Sequence, residues 1–231
     1  MIGETWRSLP ALRKSPTYWT DCLGVDNAGQ LAPFTNTLLS SGTQSASNPT
    51  TNNHPGILRI TSSTSANSGS RLMLNASMML LQAGDYFECI FSLVTLTNTT
   101  IRLGFIDTTS QADCTDGAYF EIASTGVVST KTANNSTRTT AAPTPTLNVG
   151  TWYRGEIEIQ SATEARFRIY NSDTAAEVLP EQTITTNIPT TSGRNTGVGL
   201  IATNSGTSAL DLIDVDWIGY ENRNNVVGIV R

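Results

Sequence analysis

From residue 56 onward the chain repeats one kind of organisation. Short runs of alternating apolar and polar side chains are separated by Gly, Asn, Ser and Pro about every ten to fifteen residues. In YFECIFSLV, Phe87, Cys89, Phe91 and Leu93 share one face. Tyr86, Glu88 and Ser92 share the other, with Ile90 as an apolar exception. WYRGEIEIQ sets Tyr153, Ile157 and Ile159 against Arg154, Glu156 and Glu158. IRLGFI (Ile101, Leu103, Phe105), AYFEIAS (Phe120, Ile122) and ARFRIYN (Phe167, Ile169 against Arg166, Arg168) repeat the scheme. A period of two puts alternate residues on opposite faces of an extended strand, so that one face packs and the other meets water. GILRI, RLMLN and GVGLIA add short apolar strand signals, and LDLIDVDWIGY closes the pattern with Ile213, Val215 and Trp217 expected inward. No window sustains the 3.6-residue period of a helix. About ten to twelve such strands predict two packed antiparallel sheets, an all-β sandwich.

Three regions depart from this pattern. Near the start, Arg7, Arg13 and Lys14 are basic, Pro10 and Pro16 interrupt any helix, and Trp6, Tyr18 and Trp19 follow no alternation. Residues 1–19 therefore read as an extended arm ordered against a neighbour, with a disordered, tag-like end as the alternative, and residues 40–55 read as a polar loop. Residues 132–150, with Pro143 and Pro145, carry no strong pattern. The strands on either side share one style, so this region reads as an edge or loop within a single domain over residues 20–221. Residues 222–231 form a tail in which Val226, Val227, Ile229 and Val230 are nearly unbroken apolar sequence that needs cover. The expected assembly interface is accordingly Trp6, Arg7, Arg13, Lys14, Tyr18 and Trp19 in the arm with those four residues of the tail.

Composition narrows the partners. The chain has 231 residues, of which 14% are charged, against roughly a quarter in typical domains. Thr, Ser and Asn supply the polar surface instead. A net charge of −5 argues against a nucleic-acid partner, which would require a clustered basic surface. No run approaches the ~18 apolar residues of a membrane helix. Met1 to Pro10 lacks the apolar stretch of a secretory signal. Cys22, Cys89 and Cys114 are far apart, odd in number and free of CxxC spacing, so separate thiols are expected rather than a disulfide framework or a zinc site. A Cys89–Cys114 bridge stays open, since only geometry decides it. The sequons at Asn75, Asn98, Asn134 and Asn135 are expected by chance in so Asn-, Ser- and Thr-rich a chain.

The order NHPGILRI, TDGAYFEI, VGTWYRGEIEI, ARFRIYN and DVDWIGY resembles a group of bacteriophage virion domains found in tail fibres, tail spikes, head fibres and capsid decoration proteins. The resemblance covers roughly residues 20–221. It implies a concanavalin-like jelly roll in a virion structural protein, commonly a homotrimer and sometimes a glycan binder, assembled in the host cytoplasm. It carries over no catalytic residue.

The residues themselves give catalysis little support. Glycoside hydrolases of this fold need acids closely spaced on one strand, two of them across the scissile bond. Glu156-Ile-Glu158 and Asp214-Val-Asp216 are the nearest arrangements, and each lacks a third acid. Glu156 and Glu158 read as a solvent face. Asp211, Asp214 and Asp216 cluster enough to hold a cation or a neighbouring subunit's arginine. The one histidine, His54, lies in NNHPG without a GxSxG elbow, so it reads as part of a turn. Gly197-x-Gly199-x-x-Ala202 lacks the βαβ setting of a dinucleotide site. Asp107, Asp113 and Asp116 in DTTSQADCTDG offer oxygens that would suit calcium, yet the spacing is not that of an EF-hand and Asp-Gly is a common hairpin turn. Trp6, Tyr18, Trp19, Tyr119 and Tyr170 are candidates for stacking on sugars, while Trp152 and Trp217 read as core. No cofactor and no enzymatic activity are expected. The sequence favours a capsid decoration protein contacting the major capsid or tail proteins, because no heptad or collagen-like shaft accompanies the domain. The alternative is a receptor- or glycan-binding domain of a tail or head fibre, with a host-surface glycan as partner.

Overall fold

The computed structural model describes residues 17–20, 22, 33–48, 53–142 and 145–226. Its strands form two sheets. The first contains β1 (Thr17–Thr20), β3 (Thr43–Ser47), β4 (Ile57–Thr61), β6 (Asp85–Leu93), β11 (Trp152–Ser161), β12 (Glu164–Asn171), β13 (Glu177–Ile184) and β15 (Asp211–Asn222). They run in the order β13-β12-β11-β6-β15-β4-β3, and β1 also pairs with β15. The second contains β2 (Thr35–Leu39), β5 (Ser68–Met79), β7 (Thr99–Ile106), β8 (Gly117–Ile122), β9 (Val128–Asn134), β10 (Thr137–Ala141) and β14 (Thr196–Asn204), in the order β10-β9-β8-β7-β14-β5-β2. All pairings between these strands are antiparallel. A short 3-10 helix, Arg223–Val226, follows β15. This is the all-β antiparallel sandwich expected from the alternation.

The core lies between the sheets. Phe87, Phe91, Ile157 and Phe167 of the first sheet meet Leu103, Phe105, Phe120 and Leu200 of the second, all buried. Phe87 and Tyr220 meet the Phe105 ring edge-on, and Phe120 meets Phe167 likewise. Each such side chain contributes about 1.5–3 kcal/mol by leaving water. A second, smaller cluster of Met73, Ile106, Cys114, Tyr119, Ala133 and Ile201 lies on the far side of the second sheet, beneath the loop of residues 107–116. Cys89 belongs to the main core and Cys114 to this second cluster, and both are thiols with no bridge between them.

Several strands lie where no pattern was legible. β3 falls inside the stretch read as a polar loop, and β9 and β10 enter the region from residue 132 onward. β2, β3, β10 and β13 are all edge strands, with few buried positions to produce an alternation. In β9 the inward positions after Val128 are polar: Thr130 donates to Gln182 Oε1 at 2.5 Å and Thr132 donates to the Thr186 carbonyl at 2.7 Å. Thr17–Thr20 form β1, so the arm drawn as residues 1–19 ends inside a strand, and Tyr18 and Trp19 have backbone partners in Tyr220 and Gly219.

Candidate functional site

On the outer face of the first sheet, β6 and β15 lie side by side at its centre. Residues Ile213 and Val215 of β15 point into the core, and simple alternation would send Trp217 after them. A register shift between Val215 and Trp217, opposite Phe91 and Ile90 of β6, intervenes. A bulge of this kind adds a residue and reverses the facing of the residues beyond it. Ile218 and Tyr220 then fill the core, while Trp217 is half-buried and lines a surface depression of about 150 Å³. The expected core position of Trp217 is thereby corrected. Trp152, in contrast, is buried.

Tyr86, Glu88, Gly219, Tyr220, Glu221 and Arg223 complete the walls of this depression. The Tyr86 hydroxyl donates to Glu88 Oε2 at 2.8 Å. Arg223 lies 3.3 Å from the Tyr86 ring centroid, and its Nε donates to Glu221 Oε1 at 2.7 Å. Burial first, then the negative charge of Glu88 and Glu156, pushes the Tyr86 phenol far above its ordinary value. Tyr86 therefore stays a neutral donor. The result is a shallow site with aromatic surface, carboxylate acceptors and one guanidinium, which suits stacking against a sugar ring and reading its hydroxyls. The sequence pattern gives no reason to single out Tyr86. The signal for Trp217 was the adjacent pair Trp217-Ile218, which strict alternation cannot place on one face.

Asp211, Asp214, Asp216 and Glu156 are engaged within the chain. Arg59 donates from Nε and Nη2 to both oxygens of Asp214 at 2.7 Å and from Nη1 to Asp211 at 3.0 Å. The hydrogen bond to Asp214 raises the Arg59 pKa despite opposing burial. Within the chain, the arginine that this acidic cluster takes is Arg59. Asp216 bonds His54 Nδ1 at 2.8 Å, and Asp173 lies 3.3 Å from Nε2. The imidazole also stacks on Trp152, with centroids 4.0 Å apart. His54 is buried and its two ring nitrogens face carboxylates rather than a hydroxyl nucleophile. Glu156 lies against Arg154 and Arg168 on the outer face.

On the outer face of the second sheet, Asp113 is ringed by Arg102, Lys131 and Arg138 at 3.1–3.3 Å and accepts from the Tyr119 hydroxyl at 2.6 Å. Burial would raise its pKa, but Tyr119 and these cations hold it below the usual carboxylate range. Glu121 shares Arg102 and Lys131. Asp107 accepts from the Thr115 amide, and Asp116 accepts from the Asn135 amide and pairs with Arg194. The three aspartates considered for calcium are thus split among separate protein partners. Among the described residues no cluster of three metal-ligating side chains occurs. Two adjacent cavities of about 380 and 400 Å³ lie between this loop and the strands β2 and β5.

Of the sugar-stacking candidates, Tyr119 is fully buried and Tyr170 is half-buried with Arg154 4.9 Å from its ring centroid. Trp6, Arg7, Arg13, Lys14, Val227, Ile229 and Val230 lie outside the described residues, and for Tyr18, Trp19 and Val226 only the backbone course is described.

Residues 53–216 match the family model SO2946-like, C-terminal domain. The chain belongs to this family. No curated protein matches it. Among solved structures, the SO2946-like domain resembles the protein of unknown function SO2946 from Shewanella oneidensis MR-1, at a TM-score of 0.74 and 15% identity over 94% of this chain and 90% of that one. It resembles the CBM2 module of the evolved Dit of Lactobacillus casei BL23 phage J-1, at 0.55 and 14% over 91% and 98%. It also resembles arcelin-5, a lectin-like defense protein from Phaseolus vulgaris, at 0.58 and 9% over 91% and 99%. At these identities the likeness establishes the shared fold, a concanavalin-like jelly roll.

Proposed function

We propose that this SO2946-like domain is a glycan-binding module and that its site is the depression around Trp217. The observation that carries the reading is the bulge in β15, which brings Trp217 to the surface beside Tyr86, Glu88 and Glu221. Support also comes from the fold, since the phage Dit neighbour is described as a CBM2 module and arcelin-5 as lectin-like. The proposal thus adopts the alternative drawn from the sequence. Capsid decoration, first in that reading, draws no support from these likenesses. The virion setting and the homotrimer implied by the phage resemblance remain part of the proposal, with the domain carried on a tail or head fibre. No catalytic step is included, because Asp214 is held by Arg59, Asp216 by His54 and Glu156 by Arg154 and Arg168.

Binding of the full chain to a glycan array, compared with Trp217→Ala, tests this. A bound glycan should lose at least tenfold in affinity in the variant, about 1.4 kcal/mol, while the circular dichroism melt stays cooperative. Equal binding by the two proteins, or no glycan bound by either, would overturn the reading.

A further inference from the structure

The described arginines behave alike with one exception. Arg59, Arg102, Arg138, Arg154, Arg166, Arg168, Arg194 and Arg223 each pair with a carboxylate. Arg71 alone among the described arginines has no such partner. It sits on β5 between Thr37 of β2 and Ile201 of β14. Its neighbours Leu72 and Leu74 face the core, so Arg71 points to the outer face of the second sheet together with Met73. There it lines the 380 Å³ cavity with Thr35, Thr37, Ser77 and Thr109. A guanidinium remains charged at every physiological pH, and its planar fork matches an oxyanion in two parallel hydrogen bonds.

We propose that this groove is a second binding site, taking the anionic group of an acidic saccharide on Arg71. The hydroxyls of Thr35, Thr37 and Thr109 supply donors and acceptors for a polyhydroxylated ring. The adjoining 400 Å³ cavity continues the groove past Ser40, Asn67 and Gln111, with the half-exposed Leu38 offering apolar surface to a ring's C–H face. Together the cavities fall in the size range of small-ligand sites. The opposite wall is fixed beforehand. Arg102 Nη1 donates to the Gln111 carbonyl at 2.9 Å, and Thr108 Oγ1 donates to the Ala112 carbonyl at 2.8 Å. Holding a wall in place before binding lowers the ordering cost of association. Of the acids of this loop and strand, Asp113 and Glu121 are already matched by Arg102, Lys131 and Arg138, and Asp107 accepts from the Thr115 amide. The site is independent of the Trp217 depression, which lies on the other sheet.

The test is a titration of the ¹⁵N-labelled full chain with sodium glucuronate, glucose 6-sulfate, glucose, and inorganic sulfate. Glucuronate or glucose 6-sulfate should give saturable shifts at Thr35–Ser40 and Ser110–Ala112, and whichever acts identifies the acid as carboxylate or sulfate. Glucose should give none there. Arg71→Gln should weaken binding at least tenfold with an otherwise unchanged spectrum, and Arg71→Lys should fall between. Trp217→Ala should leave these shifts intact, and Arg71→Gln should leave array binding at the depression intact, so the two sites fail separately. Saturable binding that Arg71→Gln does not weaken, or no saturable shift at those residues, would overturn the proposal. If inorganic sulfate binds as tightly as either acidic sugar, the groove selects an adventitious ion only and the saccharide assignment falls.

Discussion

Asp85 and Trp217 lie on neighbouring central strands, and neither behaves as its residue type suggests. Asp85 is fully buried and accepts hydrogen bonds from the Gln82 amide at 2.8 Å, the Tyr220 hydroxyl at 2.9 Å and Asn222 Nδ2 at 2.7 Å. Burial raises its pKa, and these three donors counter it only in part. A carboxyl that holds its proton more firmly when folded favours the folded state most below its unfolded value, and that contribution is lost as pH rises through the folded one. Relative to Asp85→Asn, the wild type should therefore gain urea resistance as pH is lowered from about 7 toward about 4. A difference that is flat or reversed across that range would refute the argument. Trp217 shows why residue-level reading of the sequence fell short at the candidate site. Period-two counting is blind to a bulge, and the depression exists because of one. Asp214 and Asp216 were legible as a cluster, but their partners Arg59 and His54 lie more than 150 positions away in sequence, beyond the reach of any local pattern.

At the scale of the element, the interior strands other than β9 were legible and the edge strands were not. β11 and β12 bury every second side chain over most of their length and show it, and β6 shows it in Phe87, Cys89 and Phe91. β2, β3 and β10 are bordered by a neighbour on one side only and bury little, so their Thr- and Ser-rich sequences look like loops. β7 carries one constraint that alternation does not reveal. Gly104 has φ of +134°, and a Cβ there would lie 2.5 Å from Ile157 Cδ1 and 2.7 Å from the Ala118 carbonyl oxygen. Gly104→Ala should cost about 3 kcal/mol through overpacking and backbone strain, read as a lowered urea midpoint with unchanged slope. Wild-type stability in that variant would show that the sheet accommodates the methyl group.

For the whole molecule, the two proposed sites face away from one another on opposite sheets. A trimer would present three copies of each, and linked sites bind multivalent surfaces far more tightly than single ones. The homotrimer follows only from the phage resemblance. Light scattering of the full chain should read three times the chain mass, and a monomer at working concentration would remove that part of the proposal. The sandwich as a whole was legible because two-sheet packing imposes its period on most of the central strands.

The pairing of β1 with the end of β15 has one more consequence. Thr17 stands directly across from Glu221, so the chain enters and leaves the sandwich at adjacent points on one rim. Such a module can be spliced into a single surface loop of a larger carrier without prising that loop apart. It can equally be circularly permuted across that rim, with a short linker joining Glu221 to Thr17 and new ends opened at a hairpin elsewhere.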